Sequence, residues 1–448
     1  MKIKNLNIVL FFLFVTLLGL SSCSSDNSLQ LPEVNIGSLS KFQNHEASIA
    51  QDEVLSLSAE VKSQPAITKI SWKVNGVEKA TIAKFDFSAS EVGTYKIVLS
   101  VTNEDGMTAD SVNVMVYGKY RDGVFVLNEG NMTSENGFLT FISSKGEVTD
   151  SAYYKANGSS LGNVTQSLFI ADKKMYIISQ NGNRMNGDGL LVVADAESLK
   201  KVAAYNDELA DLSWPTHVAV VGNNVYLRDN KGVYLFNPTT KQLSFIQGTD
   251  GALKNDMAVV KDKVFVPGDN AIFVLQNGAL VNTITMPGNV SGVIKSSDGN
   301  IWASCTTKPA QIAKINSADY TITTNELPAD VKIGAGWGAT PGISAKGDSI
   351  YFSNAGPKVY RHIFSKKQTD FLTDVSPLIE HFGMLYNNLT VNPSNGDIYI
   401  NTIEGYGLSF LINDITVWSD SGSMLKLKSD YHNHIHFPAG TFFPTEYK

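Results

Sequence analysis

The chain has 448 residues and a formal net charge of −7, too long for one ordinary core and lacking the basic stripe that nucleic acid or an anionic membrane surface would require. Apolar residues make up 43% and charged ones 18%. Abundant Gly and Asn with recurring Val, Ile, Tyr, Phe and Thr runs point to an all-β protein of more than one domain.

Lys2 and Lys4 precede an apolar run, Ile8 to Leu20, which is too short to span a bilayer as a helix. Leu20-Ser21-Ser22-Cys23 follows and resembles a bacterial lipobox. That resemblance implies a signal peptide over 1–22, a lipid (palmitate-bearing) Cys23 and outer-membrane anchoring. Residues 23–30 read as a polar tether whose only charge is Asp26, so display on the cell surface and on the periplasmic side both stay open. With Cys23 lipidated, Cys305 is left alone and no internal disulfide can form. It sits in the alternating stretch Ile301–Cys305 and reads as a buried, inert thiol.

Residues 31–118 carry five alternating segments, Val54–Ala59, Ile67–Val74, Phe85–Ser88, Thr94–Thr102 and Ser111–Val116, with turn signals at Asn75-Gly76 and Glu104-Asp105-Gly106. Trp72, followed by Gly93-Thr94-Tyr95 and Val101-Thr102-Asn103, resembles PKD-like, immunoglobulin-like sandwiches, which implies Trp72 as core plug, Tyr95 as corner residue and a spacer role for the domain.

Residues 119–448 repeat one phrase: apolar strand, short polar turn, apolar strand, Asn-rich loop, two more strands. Copies begin near Ser167, Val218, Met257, Gly292, Gly342 and Leu389, at the spacing of about 35–50 residues expected of propeller blades. A leading unit from Val124 lacks its innermost strand, and the tail Ile435–Phe443 could supply it. A seven-bladed β-propeller follows, because a closed ring buries both faces of every sheet.

The loops leaving the second strands share one face with the interblade crossings. They offer Asn128, Glu129, Asn131, Asn181, Arg184, Asn230, Asp269, Asn270, Asn354 and Tyr406, with Trp214, His217 and Trp337 from the crossings. Asn supplies donors and an acceptor and the aromatics flat apolar walls, so these residues are the expected ligand contacts. His432, His434 and His436 alternate, but three such residues on one strand stand about 7 Å apart. They read as a solvent-facing end segment, and no metal site is expected. Phosphate loops, nucleophile elbows, HExxH and paired-Cys zinc patterns are missing from the sequence, so a binder is expected and not an enzyme.

Val124-Phe125-Val126-Leu127-Asn128-Glu129-Gly130-Asn131, then Leu139-Thr140-Phe141 and Thr165-Gln166-Ser167-Leu168, resemble a propeller family common among surface lipoproteins of gut bacteria. Its best-understood relatives are the BtuG-type cobalamin-capturing lipoproteins. The resemblance implies no cofactor, a corrinoid such as vitamin B12 as ligand and a TonB-dependent outer-membrane transporter as partner. The sandwich departs from that pattern. A glycan-binding or adhesive scaffold is the alternative, and a propeller lyase or hydrolase a third.

Overall fold

The computed structural model describes residues 29–37, 42, 44–334 and 340–444; the leader, Cys23 and Trp337 lie outside them. The chain divides into two compact units, Met1–Val116 and Tyr117–Lys448.

In the first unit, one antiparallel sheet is built from Glu33–Gly37, Leu55–Lys62 and Lys84–Phe87. The other runs in the order Glu46–Ala50, Gly106–Tyr117, Gly93–Asn103, Lys69–Val74, Val77–Ala80. Alternation turns one face of each sheet inward, and Ile49, Leu57, Trp72, Ile97, Leu99 and Val114 form a shared core. Trp72 is fully buried and its indole N–H donates to the Ile82 carbonyl at 2.9 Å. The Tyr95 hydroxyl donates to the Glu91 carbonyl, four residues upstream, at 2.9 Å, fastening the corner as the sequence predicts. Three strands go beyond the sequence expectation: Glu33–Gly37, Glu46–Ala50 and Val77–Ala80. Each lies at a sheet edge, where pairing on one side suffices and apolar alternation is weakest.

The second unit contains seven sheets of the expected kind. The innermost strands are Pro438–Phe442, Thr165–Ala171, His217–Val221, Ala258–Val260, Val290–Lys295 and Ser344–Lys346. In the seventh sheet that strand is split into Met384–Leu385 and Thr390–Val391, both paired with Ile398–Ile403. Seven buried apolar clusters hold the ring, each drawn from two successive sheets. One joins Ile178 and Val193 to Val218 and Leu227; another joins Phe265 and Val274 to Val293 and Ile301. The last joins Tyr399, Ile415 and Val417 to Val124, Val126 and Phe443.

Closure is completed by the tail. Pro438–Phe442 pairs antiparallel with Gly123–Asn128, placing the C-terminal strand innermost in the first sheet. The fourth strand of that sheet is only Val148–Thr149, and the chain continues into a short helix, Ala152–Asn157. A six-residue helix is too short to display a 3.6-residue apolar period, so the sequence gives no sign of it. Among the described residues no helix is long and apolar enough to cross a membrane.

Cys305 is 1% exposed and burial pushes its thiol up to about 11. The native protein is expected to leave an aromatic-disulfide thiol reagent unreacted near neutral pH and to react promptly in denaturant. Rapid native labelling of Cys305 would contradict its place in the core between the fourth and fifth sheets.

Candidate functional site

Each innermost strand starts where its neighbour ends: Thr165 lies opposite Ser179, His217 opposite Arg228 and Pro438 opposite Asn128. The second-strand exits and the starts of the inner strands therefore share one end of the ring. A cavity of about 650 Å³ runs along the inner strands, lined by Leu168, Val218, Val259, Val293, Ile343 and Phe442. It reaches the first turns at Asp172, Gly222, Lys261 and Gly347, while Asp256 and Thr340 line it nearer the second-strand exits.

At that end a plug of polar side chains fills the axis. Gln166, Ser167, Thr216, His217 and Asn255 are each 2% exposed or less, and burial on this scale requires partners. The Ser167 hydroxyl donates to Asp256 Oδ1 at 3.0 Å, and His217 Nε2 lies 3.7 Å from the same oxygen. His217 Nδ1 and Thr216 Oγ1 are 2.9 Å apart, and Arg228 Nη1 donates to that hydroxyl at 3.1 Å. Arg228 also donates from Nε and Nη2 to the Ala252 carbonyl. Asn255 Nδ2 ties Ser291 to Thr340 through their carbonyls, at 3.1 and 3.2 Å.

Desolvation dominates the electrostatics here. It pushes Asp256 up to about 7, against the lowering effect of the Ser167 hydroxyl. It raises Glu129, which Lys254, Gln166 and Tyr386 pull back down, and it lowers Lys254. Arg228 is brought down to about 10 by the same cause. Carboxyls displaced from their usual range at a cavity are marks of a functional site.

Beside the plug lies an aromatic shelf. Tyr386, in the gap between the two inner pieces of the seventh sheet, donates to Glu129 Oε2 at 3.3 Å. Its ring meets Phe437 at 5.4 Å, and Phe437 stacks with Phe410 at 4.7 Å and 30°. Tyr406, 53% exposed, stacks on Phe437 at 6.2 Å and 22°. His436 stands edge-on to Phe410 and Phe138, and its Nδ1 is 2.8 Å from Glu135 Oε2. Leu408 projects from the same loop almost fully exposed. The arrangement gathers stacked aromatic rings, with Tyr406 the most exposed of them, beside Glu129 and Glu135.

The expected contacts fare differently. Glu129 and Tyr406 are brought together through Tyr386 and Phe437. Asn131 and Asn181 are linked by Asn163, which accepts from the Asn181 amide at 2.8 Å and donates to the Asn131 carbonyl at 3.4 Å. Asn128 must be corrected: it is fully buried, its amide donates to Val126, Phe138 and Thr140, and its Oδ1 accepts from the His436 N–H. It braces the first sheet and has no surface for a ligand. His217 is likewise without exposed surface. Arg184, Trp214, Asn230, Asp269, Asn270 and Asn354 are exposed. Trp214, Asn270 and Asn354 have φ of 53°, 58° and 51°, so the two asparagines serve left-handed turns, a role that needs no ligand. Lys254, Asp256, Tyr386, Phe410 and Phe437 were missed. The only local signal was position, since Lys254 and Asp256 lie just before an inner strand as Trp214 does.

The three histidines also separate. His432 ends the strand Leu425–His432, and Asn433, at φ 63°, turns the chain. His434 then meets Asp150 at 3.0 Å and His436 meets Glu135.

Fold and site together define a seven-bladed β-propeller with a polar-plugged axis, preceded in the chain by a small β-sandwich. The chain belongs to the family described as a domain of unknown function, DUF5074, over residues 122–444. Among solved structures it is similar to a quinonprotein alcohol dehydrogenase-like protein of Bacteroides thetaiotaomicron. Identity there is 15%, coverage 91% of this chain and 99% of that chain, and the TM-score 0.51. It is also similar to PorZ, a surface component of the type-IX secretion system of Porphyromonas gingivalis. That match has 12% identity, 76% and 44% coverage and a TM-score of 0.39. No curated protein matches the sequence.

Proposed function

We propose that this protein is a lipid-anchored outer-membrane binder, facing the cell exterior. It captures a small amphipathic nutrient on the second-strand face and passes it to a TonB-dependent transporter. The observation that carries the binding reading is the shelf of Tyr406, Phe437 and Phe410 opening beside Tyr386 and Glu129. A flat apolar body with polar edges suits it: the body stacks and the edges meet the acid and rim amides. A corrinoid has that form, and the BtuG-type resemblance of the Leu127-Asn128-Glu129-Gly130-Asn131 segment supports the choice.

An acid–base enzyme is the weaker reading. Asp256 has the displaced carboxyl such chemistry needs. His217, however, is fully buried, so a substrate in the cavity would meet Asp256 without the imidazole.

Titrating the full chain with cyanocobalamin and following its visible spectrum is expected to give saturable binding at micromolar concentration or below. Tyr406→Ala and Phe437→Ala should each weaken it roughly tenfold, the scale of losing one aromatic stack with its buried area. A spectrum unchanged at micromolar concentration would remove the corrinoid. Glycan-array signals abolished by Tyr406→Ala would instead assign the shelf to sugars.

A further inference from the structure

The two outer strands of the seventh sheet, Asn413–Asp420 and Leu425–His432, pair with Asp414 opposite His432 and Thr416 opposite Asp430. Residues two apart on a strand share a face, as do directly opposed residues. Asp414, Asp430 and His432 therefore project from the same side of the hairpin, and one donor atom from each lies within 4.8 Å of the others. His432 Nδ1 is 2.5 Å from Asp414 Oδ1 and 3.8 Å from Asp430 Oδ1. The carboxylates are recessed, with side-chain exposures of 6% for Asp414 and 22% for Asp430, while His432, at 57%, closes the group on the solvent side.

One oxygen in this group has only the His432 imidazole, 3.8 Å away, beside it. Asp430 Oδ1 is buried and accepts no hydrogen bond among the described residues, a costly state for a carboxylate. The charges acting on Asp430 are Asp414, His432 and Glu380, with no lysine or arginine among them. Glu380 arrives exposed from the segment leading into the seventh sheet. Carboxylates thus outnumber the single imidazole around an oxygen that accepts no hydrogen bond.

We propose that Asp414, Asp430 and His432 form a binding site for one divalent transition-metal ion of the zinc or manganese class. Imidazole nitrogen combined with carboxylate oxygen favours such ions over calcium or magnesium, which take oxygen alone. Metal–ligand distances of about 2.0–2.2 Å set donor atoms roughly 3–3.5 Å apart, so small movements of these side chains from their present spacing within 4.8 Å complete the geometry. The ion replaces the proton shared between His432 Nδ1 and Asp414, and that proton leaves to solvent with no change of oxidation state. Three protein ligands leave a further position for water. His434 and His436 stay outside the site, being engaged by Asp150 and Glu135.

Calorimetric titration of the metal-stripped full chain with Zn²⁺ is expected to show one ion bound per chain at micromolar concentration. Asp430→Asn and His432→Ala should each weaken binding about tenfold or more, while the His434→Ala/His436→Ala double variant leaves it unchanged. Near-ultraviolet circular dichroism verifies folding. Absent binding, binding indifferent to Asp430→Asn and His432→Ala, or binding removed by the His434→Ala/His436→Ala pair would overturn the site. Cobalt(II) added to the unaltered chain gives a readout free of variants: an intense visible spectrum of low coordination supports the proposal, and the pale spectrum of the hydrated ion overturns it.

Discussion

Ending the chain before Pro438 should abolish cooperative folding of the propeller, the largest effect expected of any change in this protein. The lost segment is the inner strand of the first sheet. It supplies Ala439 and Phe442 to one interblade core and, through the adjoining Phe443, reaches a second. Phe443 is 1% exposed and stands edge-on to Tyr399 at 5.3 Å. Removing one such ring costs about 3–5 kcal/mol. Two rings and a ladder of backbone hydrogen bonds then match or exceed the roughly 5–15 kcal/mol that holds a typical domain. The exposed edge of Gly123–Asn128 would also invite association between chains. Thermal unfolding followed by circular dichroism is the measurement, with the core around Trp72 in the first unit as internal reference. Phe443→Ala should lower the propeller transition without eliminating it. A truncated chain that melts like the intact one would show that the ring does not depend on this closure.

The second large effect concerns Asp256 and has a sign fixed by linkage. Its carboxyl is raised from 3.8 to about 7 in the folded protein. Between those values the native state holds a proton that the unfolded chain has released, so stability falls as pH rises through the window, and the penalty is complete above it. Three units correspond to about 4 kcal/mol. Because 29% of the side chain still meets channel water, about 2–3 kcal/mol is the better expectation. Asp256→Asn removes the ionisation and keeps an acceptor for the Ser167 hydroxyl. The variant should therefore match the natural protein at about pH 4 and exceed it by that amount at about pH 8. Denaturant midpoints across this range provide the test. The neighbouring His217, 3.7 Å away, supplies the opposite outcome: were it an imidazolium paired with a carboxylate, the substitution would destabilise the protein at neutral pH.

Much of this architecture is legible residue by residue. The phrase shared by Val218–Leu227 and Met257–Val266 marks an inner strand, a tight turn and a second strand, and the structure places His217–Val221 with Asn224–Arg228 and Ala258–Val260 with Lys263–Gly268 in those roles. The tail strand and its partner could be matched because the leading repeat from Val124 visibly lacked a strand. Trp72 and Tyr95 announced themselves by residue type. Short edge strands such as Val77–Ala80 escaped, since half-exposed segments need no apolar alternation.

The site was less legible, and asparagine shows why. Asn128, Asn270 and Asn354 look alike in sequence. The first is consumed by four hydrogen bonds inside a sheet. The other two hold left-handed turns at the rim. Composition cannot separate these uses, because the same amide serves all of them. Phe437 and Tyr386 gave no sign of their ring contact, being 51 residues apart in the chain and joined only by closure of the ring.

Periodicity and turn chemistry act over a few residues, so the all-β character, the small sandwich followed by a ring, the repeat count and the closing tail strand were determined by the sequence alone. Which side chains face one another across the axis was decided only by the tertiary structure. Angular position around a closed ring and the desolvation of Glu129, Asp256 and Lys254 arise from packing among distant segments. No local stretch of chain contains that information, and the same reasoning applies to the meeting of His432 with Asp414 across a strand pair.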